Sequence, residues 1–212
     1  MKIYGDLGSG NCLKVKYTAD HLGLAYQWVD VDILKGETGK AEFLAAFPMG
    51  QIPAVEFDDG RRLAQSNAIV RYLAAGSPLV PSDRFLAAKV DELMFWEQYS
   101  HEPYLAVCRF HMRYLGRSKE AREPLRVERG ERALDFLERR LVGCRWLGGD
   151  ALSIADIVLL PYTRLAPEGG FDLSQRHNLR AWIARSEAVL KLQPVGVGAT
   201  AKVATPAPQG GQ

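Results

Sequence analysis

Short apolar runs alternate with amphipathic segments over the first third of the chain. Residues 2–4 and 27–31 are rich in β-branched and aromatic side chains and predict two strands. Between them, apolar residues recur at helical spacing and predict a helix, which ends at Gly23. Its apolar face consists of Cys12, Val15, Ala19 and Leu22. Its outer face is predicted to carry Lys14, Lys16 and Asp20.

Residues 50–73 predict a hairpin that leads directly into a helix. Strands are predicted at 54–57 and 61–63, joined by a two-residue turn at Asp59 and Gly60. Ser66 is the predicted N-cap, because a serine side chain accepts hydrogen bonds from the first free N–H groups of a helix. The apolar face of this helix is predicted to contain Ala68, Ile69, Tyr72 and Leu73. With a short helix at 42–47, the order of elements is β-α-β-α-β-β-α, which resembles the thioredoxin-like domain.

The rest of the chain predicts helices only. A long helical segment, capped by Ser82 or Asp83, runs to about Tyr114 with a kink at Pro103. A charged helix at 120–141, a buried helix at 154–165 that begins with a capping box, and a last amphipathic helix around Trp182 follow. We predict a thioredoxin-like domain over 1–75, a linker over 76–83, an all-helical domain over 84–193 and a flexible tail over 194–212.

Composition excludes several classes of function. A net charge of +2 is too small to indicate a nucleic-acid partner. No apolar run approaches the roughly 20 residues of a membrane-spanning helix. Three widely spaced cysteines argue against a disulfide framework and for a reducing compartment. The four histidines lack the spacing of a metal site. We expect a cytoplasmic protein that has no signal peptide and binds no metal.

Two features near the hairpin suit a small peptide with a free carboxylate. Pro53 stands where a strand begins, and a cis bond before it would turn the backbone of Ile52 outward, free to pair with a ligand. The first N–H groups of the helix at Ser66 and Asn67, with the helix dipole, make a seat for an anion. An ordinary edge hairpin followed by a capped helix explains the same residues equally well.

A second candidate site lies in the loop between the first strand and the first helix. Ser9 and Asn11 are small polar donors at the end of a strand, where ligands collect in an open α/β sheet. Taken alone they favour a helix cap, and beside a helix N-terminus they would also stabilise a thiolate. Cys12 has the position of a redox nucleophile, but its place on the apolar face favours core packing.

Four motifs together resemble the glutathione S-transferase family. S-G-N-C-L-K-V-K (9–16) resembles the active-site loop of its serine-type theta and zeta classes and of a nu-like bacterial class. G-Q-I-P-A-V (50–55) resembles the cis-proline loop, and Q-S-N-A-I-V-R-Y-L (65–73) resembles the turn that binds the γ-glutamyl group. L-S-I-A-D-I (152–157) resembles the capping box of the helical second domain. The resemblance spans residues 2 to about 186 and implies the two-domain fold of this family.

The resemblance also implies how glutathione would be bound. Ser66 would hold the γ-glutamyl carboxylate, and Gln65 would meet the amine or the same carboxylate, although many relatives have an acid there. Ile52 would pair with the cysteinyl backbone as in strand addition. Lys35 and Gln51 are candidates for the glycyl carboxylate, and a solvated surface lysine is the alternative for Lys35. The full set of predicted glutathione-binding residues is Lys35, Gln51, Ile52, Pro53, Gln65 and Ser66.

Catalysis and acceptor binding are assigned in the same way. Ser9, assisted by Asn11, would donate to the glutathione sulfur and favour its thiolate. The acceptor would lie against Leu7, Tyr104, Cys108 and His111. Cys108 is also explained by packing within a helix bundle. The resemblance further implies a homodimer with the first long helix at its interface, where Glu97 or Tyr99 would reach the partner's site.

Three functions remain open at this stage. Transfer of glutathione to a small hydrophobic electrophile is the leading hypothesis. Glutathione-dependent reduction of disulfides or peroxides is the second, because Asn11 matches the nu-like pattern. A non-catalytic binding or regulatory module is the third. The joint presence of Ser9, Gln51, Pro53 and Ser66 argues against the third.

Overall fold

The computed structural model describes residues 1–194, so the predicted tail lies outside the described residues except for Pro194. Its first part contains one mixed sheet. The strands are β1 (Lys2–Gly5), β2 (Gln27–Asp30), β3 (Ala54–Glu56) and β4 (Arg62–Ala64), in the order β2-β1-β3-β4. β1 runs parallel to β2 and antiparallel to β3, and β3 runs antiparallel to β4. This sheet confirms the predicted thioredoxin-like fold.

Helices complete the molecule. Those between or after the strands are α1 (Gly10–His21), α2 (Ala41–Ala46) and α3 (Ser66–Leu73). The later ones are α4 (Arg84–Trp96), α5 (Glu102–Arg113), α6 (Pro124–Arg140), α7 (Ile154–Arg164) and α8 (His177–Val189). Every residue of α7 is buried, so the helical bundle is built around it. Within residues 1–194, no helix is long and apolar enough to cross a membrane.

The predicted kink between α4 and α5 is a π-helical turn at Glu97–His101. Pro103 follows this turn at the start of α5. A proline has no N–H to donate to the carbonyl four residues earlier, and its ring crowds that carbonyl, so a regular helix cannot continue through it. The turn matters because it carries Glu97 to the boundary between the two domains.

The predicted capping box at the start of α7 is confirmed as a structural device. The buried Asp156 carboxylate accepts from the Ser153 N–H at 3.0 Å and from the Ser153 hydroxyl at 2.9 Å. It also accepts from the Leu147 N–H at 2.8 Å and the Trp182 indole N–H at 2.9 Å. One carboxylate therefore satisfies donors from three segments of the helical domain.

Two predicted helix faces are only partly right. Lys14, placed outside α1, is fully buried, because α3 and α7 both pack against this helix. On α3, Ala68 and Tyr72 are exposed, whereas Ile69 and Val70 face the core. In α1 the core covers the predicted apolar face and Lys14 as well, whereas in α3 it covers a shifted arc.

Backbone geometry around the hairpin also differs from the prediction. The N-cap of α3 is Gln65, with φ +70°, and Ser66 is the first residue of the helix. The predicted two-residue turn is a longer connection over residues 57–61, in which the Gly60 N–H donates to the Phe57 carbonyl. Gly60 has φ +80°, a value that glycine adopts without a steric cost.

Candidate active site

Ser9 lies at the N-terminus of α1 and borders a cavity. Its backbone is extended, and its hydroxyl accepts from the Cys12 N–H at 3.5 Å, so the capping role is present. The loop before it is held by Asp6, whose carboxylate accepts from the Gly8 N–H at 2.7 Å and whose carbonyl accepts from the Ser9 N–H at 3.0 Å. Ser9 therefore combines a cap with a position beside open space.

The same loop is held from the helical domain. Arg109 donates to the Gly8 carbonyl at 2.7 Å and to the Glu168 carboxylate at 2.8 Å. The Tyr114 hydroxyl donates to the Asp6 carboxylate at 3.2 Å. A Cβ at Gly8 would collide with the Tyr114 hydroxyl, so only glycine allows this close approach. The loop that presents Ser9 is thus positioned by both domains.

Asn11 links this loop to the start of α3. Its Oδ1 accepts from the Lys14 ammonium at 2.7 Å and from the Ser66 hydroxyl at 3.3 Å. Its Nδ2 donates to the Glu102 carboxylate at 3.1 Å, and its backbone N–H donates to the Tyr162 hydroxyl at 3.3 Å. Because an ammonium only donates, the amide oxygen must face Lys14 and the amide NH₂ must face Glu102.

A buried ion pair lies beneath Asn11. The Lys14 ammonium is 2.8 Å from both carboxylate oxygens of Glu97, and Asn67 donates to the same carboxylate at 3.1 Å. Burial alone would raise the pKa of Glu97, but the charge of Lys14 outweighs it and lowers the pKa to about 2. Glu97 is therefore engaged within its own chain, which corrects its expected role at a partner's site.

Several predicted glutathione-binding residues meet at the start of α3. The Ile52–Pro53 bond is cis, as the sequence analysis required. The Gln65 side chain donates to the Gln51 amide oxygen at 3.2 Å. A non-glycine residue at φ +70°, as at Gln65, costs about 1–3 kcal/mol, and such residues cluster at functional sites. Beside them, the hydroxyl of the nearly buried Ser66 reaches Asn11.

Lys35 lies apart from the residues at the start of α3. Its side chain is 78% exposed and forms an ion pair with Asp32 at 3.1 Å. The Asp32 carboxylate also accepts from the Lys35 N–H, at 3.2 Å. This geometry is that of a solvated surface lysine, the alternative given above for this residue.

A cavity of about 220 Å³ opens beside Ser9. It lies between the loop before α1, the region after β2, one face of α5 and the C-terminal end of α7. Its lining residues are Ser9, Ile33, Glu102, Ala106, Val107, Arg109, Phe110, Tyr114 and Tyr162. The mixture of apolar and polar side chains suits a small organic molecule.

The four predicted acceptor-site residues do not line this cavity. Tyr104, Cys108 and His111 share a face of α5 that is turned away from it. Cys108 is buried in the core, and the Tyr104 hydroxyl accepts from Arg129 of α6 at 2.8 Å. Leu7 is half exposed and outside the cavity lining. The cavity is thus bordered by the face of α5 opposite to the one that the sequence predicts for the acceptor.

Besides the apolar lining residues, five polar side chains at the site are missing from the sequence-based prediction. They are Lys14, Glu102, Arg109, Tyr114 and Tyr162. For α5 a signal existed, because positions 102, 106, 109 and 110 follow helical spacing and define the cavity face. For Tyr162 the sequence has no signal, since it is one apolar residue among many in a buried helix.

Cys12 is packed in the core rather than exposed at the site. Its side chain is fully buried, and burial raises its pKa to about 11 despite a hydrogen bond from the Asp6 backbone and one with Ser9. A thiol with so high a pKa carries little thiolate near neutral pH. This placement agrees with core packing, the favoured interpretation of the sequence.

Comparisons with known proteins agree with the fold and the motifs. Residues 1–75 match the family model of the glutathione S-transferase N-terminal domain, and residues 95–188 match that of the C-terminal domain. The chain belongs to the glutathione S-transferase family. Glutathione is the co-substrate of this family. Residues 1–194 contain no cluster of histidine, cysteine or acidic side chains that would hold a metal ion.

Individual relatives cover nearly the whole chain. Glutathione S-transferase PM239X14 of Arabidopsis thaliana is 30% identical over 203 residues, 90% of this chain and 93% of the relative. A glutathione S-transferase structure from Pseudomonas fluorescens Pf-5 is 48% identical, has a TM-score of 0.85 and covers 88% of this chain and 94% of its own. One from Xanthobacter autotrophicus Py2 is 40% identical, with a TM-score of 0.84 and coverage of 92% and 95%.

Proposed function

We propose that the protein transfers glutathione to a small electrophile, as a serine-type glutathione S-transferase. The observation that carries the proposal is the hydrogen bond of 3.3 Å between Ser66 and Asn11. It joins the anion seat at the start of α3 to the loop that presents Ser9. One extended tripeptide therefore reaches from Ser66, along the backbone of Ile52, to the Ser9 hydroxyl.

The chemistry follows from this placement. A free thiol has a pKa of about 8.5, and its thiolate is the nucleophile. The Ser9 hydroxyl and the N–H groups at the start of α1 stabilise negative charge on sulfur, at about 1.4 kcal/mol per pKa unit. The adjacent cavity holds the acceptor against the sulfur, which then attacks the electrophilic carbon directly. No covalent bond to the protein is needed.

The names of the relatives support conjugation over the two alternatives. The Arabidopsis, Pseudomonas and Xanthobacter proteins are all named glutathione S-transferases. Asn11, which lies close to Ser9 in the chain, is also hydrogen-bonded to Ser66 of the anion seat, an arrangement that a pure binding module does not require. Reduction of disulfides or peroxides remains the second candidate because of Asn11 itself.

We also propose that the protein is a cytoplasmic homodimer. Along α4 and the following turn, large aromatic side chains recur on one helical face: Phe85, Phe95 and Tyr99 are exposed at 72%, 78% and 82%. Aromatic residues grouped on one exposed face are typical of an interface. The molar mass measured by light scattering tests this, and a mass of one 23.5 kDa chain contradicts it.

The deciding experiment is a parallel assay of the pure protein with glutathione and three acceptors. These are a chloronitrobenzene, an organic peroxide and a mixed disulfide. We expect the highest rate over the uncatalysed reaction with the chloronitrobenzene. A rate confined to the peroxide or disulfide would support the second candidate. Absence of all three activities, with no glutathione binding in calorimetry, would leave only the binding module.

A further inference from the structure

Four carboxylates lie close to the site, and their charges are balanced differently. Asp6 accepts from the Gly8 N–H and the Tyr114 hydroxyl. Glu97 is paired with Lys14, and Glu168 is paired with Arg109, each at 2.8 Å. Glu102 also lines the cavity, but no lysine, arginine or histidine among residues 1–194 forms an ion pair with it. The cavity lining therefore contains one carboxyl group that forms no ion pair within residues 1–194.

Glu102 is held in place with one oxygen left for a ligand. Its Oε1 accepts from the Asn11 amide at 3.1 Å. Its Oε2 receives no hydrogen bond from residues 1–194. Burial raises the pKa of this carboxyl, and the charge of Lys14 opposes the rise. A carboxyl that is mostly removed from water and only partly hydrogen-bonded gains more than an exposed one from a positively charged or donating partner.

The position of Glu102 relative to Ser9 indicates that this positively charged or donating partner belongs to the acceptor substrate. Asn11 stands between Glu102 and the anion seat, because its oxygen faces Ser66 and its NH₂ faces Glu102. Glu102 thus lies on the cavity side of the site, in the same lining as Ser9. Two other polar lining groups are already engaged, Arg109 with Glu168 and Gly8, and Tyr114 with Asp6.

We propose that Glu102 is a specificity-determining residue that selects electrophiles carrying a cationic or hydrogen-bond-donating group and disfavours those carrying a carboxylate. The inference rests on the proposed function, since it assumes glutathione beside Ser9 and the acceptor in the cavity. An amine on the acceptor forms a charge-assisted hydrogen bond with Glu102, whereas a carboxylate meets a like charge at short range in a poorly hydrated site.

Binding of glutathione conjugates tests this without depending on turnover. The probes are S-benzylglutathione derivatives with a para aminomethyl, carboxamide or carboxylate group, and the dissociation constants are measured by calorimetry near neutral pH. For the unaltered protein we expect the aminomethyl conjugate to bind about 10-fold or more tightly than the carboxylate conjugate, the range of one charge-assisted hydrogen bond. In Glu102→Gln the dissociation constants of these two conjugates should differ by no more than about threefold, since the charge-assisted hydrogen bond is lost.

Two further variants make the result specific. Glu128→Gln removes the same charge from an exposed position on α6 outside the cavity lining and should leave the ratio unchanged. Glu102→Asp keeps the charge and should keep the preference, and it decides the matter if Glu102→Gln does not fold. Equal affinities of the unaltered protein for all three conjugates, or an unchanged ratio in a folded Glu102→Gln variant, would overturn the proposal.

The same data separate this inference from the proposed function. If neither glutathione nor any conjugate binds, the glutathione site itself is wrong and both proposals fail. If glutathione and S-benzylglutathione bind but the para group has no effect, the site stands and only the role of Glu102 fails.

Discussion

The Lys14 ammonium lies 2.8 Å from the Glu97 carboxylate, and neither side chain is exposed to solvent. Lys14 belongs to α1 and Glu97 to the turn between α4 and α5, so the pair fastens the first domain to the helical domain. Asn11 and Asn67, which flank the proposed glutathione site, bond to the same two groups. The ion pair is thus a structural support for the site.

Removing one member of this pair should destabilise the protein strongly. Lys14→Met or Glu97→Gln leaves a buried polar or charged group without its partner and should lower the free energy of unfolding by about 3–5 kcal/mol. The double variant should lose clearly less than the sum. Urea denaturation measures each value. Lys16→Met, which breaks a partly exposed pair with Asp20, serves as control and should cost about 1 kcal/mol or less.

Stability should fall in acid because of Glu97. Its folded-state pKa of about 2 lies below its ordinary value of 4.5, so between these values the unfolded chain binds a proton that the folded chain does not. This contribution is complete above about pH 4.5 and is lost as the pH falls towards 2. In urea denaturation from neutral to acid pH, the free energy of unfolding should fall less steeply in the Lys14→Met, Glu97→Gln double variant than in the unaltered protein. Identical slopes would contradict the assignment.

Ser9→Ala should impair the thiolate more than the binding of glutathione. A hydrogen bond to a charged group is worth about 1.5–3 kcal/mol, so the pKa of the bound thiol should rise by about 1–2 units. Ultraviolet absorbance of the thiolate against pH gives this pKa, and calorimetry gives the affinity. Ser9→Thr keeps both the hydroxyl and the helix cap and should retain activity. A thiol pKa that does not move would remove Ser9 from the mechanism.

Ser66→Ala should act mainly on affinity. It removes a hydroxyl from the proposed carboxylate seat, and the dissociation constant of glutathione should rise about 10- to 150-fold, the equivalent of about 1.5–3 kcal/mol. The turnover number with saturating glutathione should change far less. Ser82→Ala, an exposed serine before α4, is the matched control. An unaltered dissociation constant in Ser66→Ala would show that the carboxylate binds elsewhere.

Local signals predicted most of the fold. The strand runs, the Gly23 helix end, the Asp83 cap and the Ser153–Asp156 box depend on neighbouring residues, and the structure has them all. Such features are visible in sequence because their hydrogen bonds span only a few positions. Even so, α3 begins one residue earlier than predicted. The positive φ of Gln65 could not be predicted, because glutamine rarely adopts the left-handed region.

The amino-acid sequence by itself determined the family, the order of elements and the short motifs around Ser9, Pro53 and Ser66. Only the tertiary structure decided which side of each helix meets the other domain. Periodicity defines the phase of residues within one helix, but the partner that covers a face comes from elsewhere in the chain. Hence Lys14 is buried against Glu97, and Glu102 rather than Tyr104 borders the cavity.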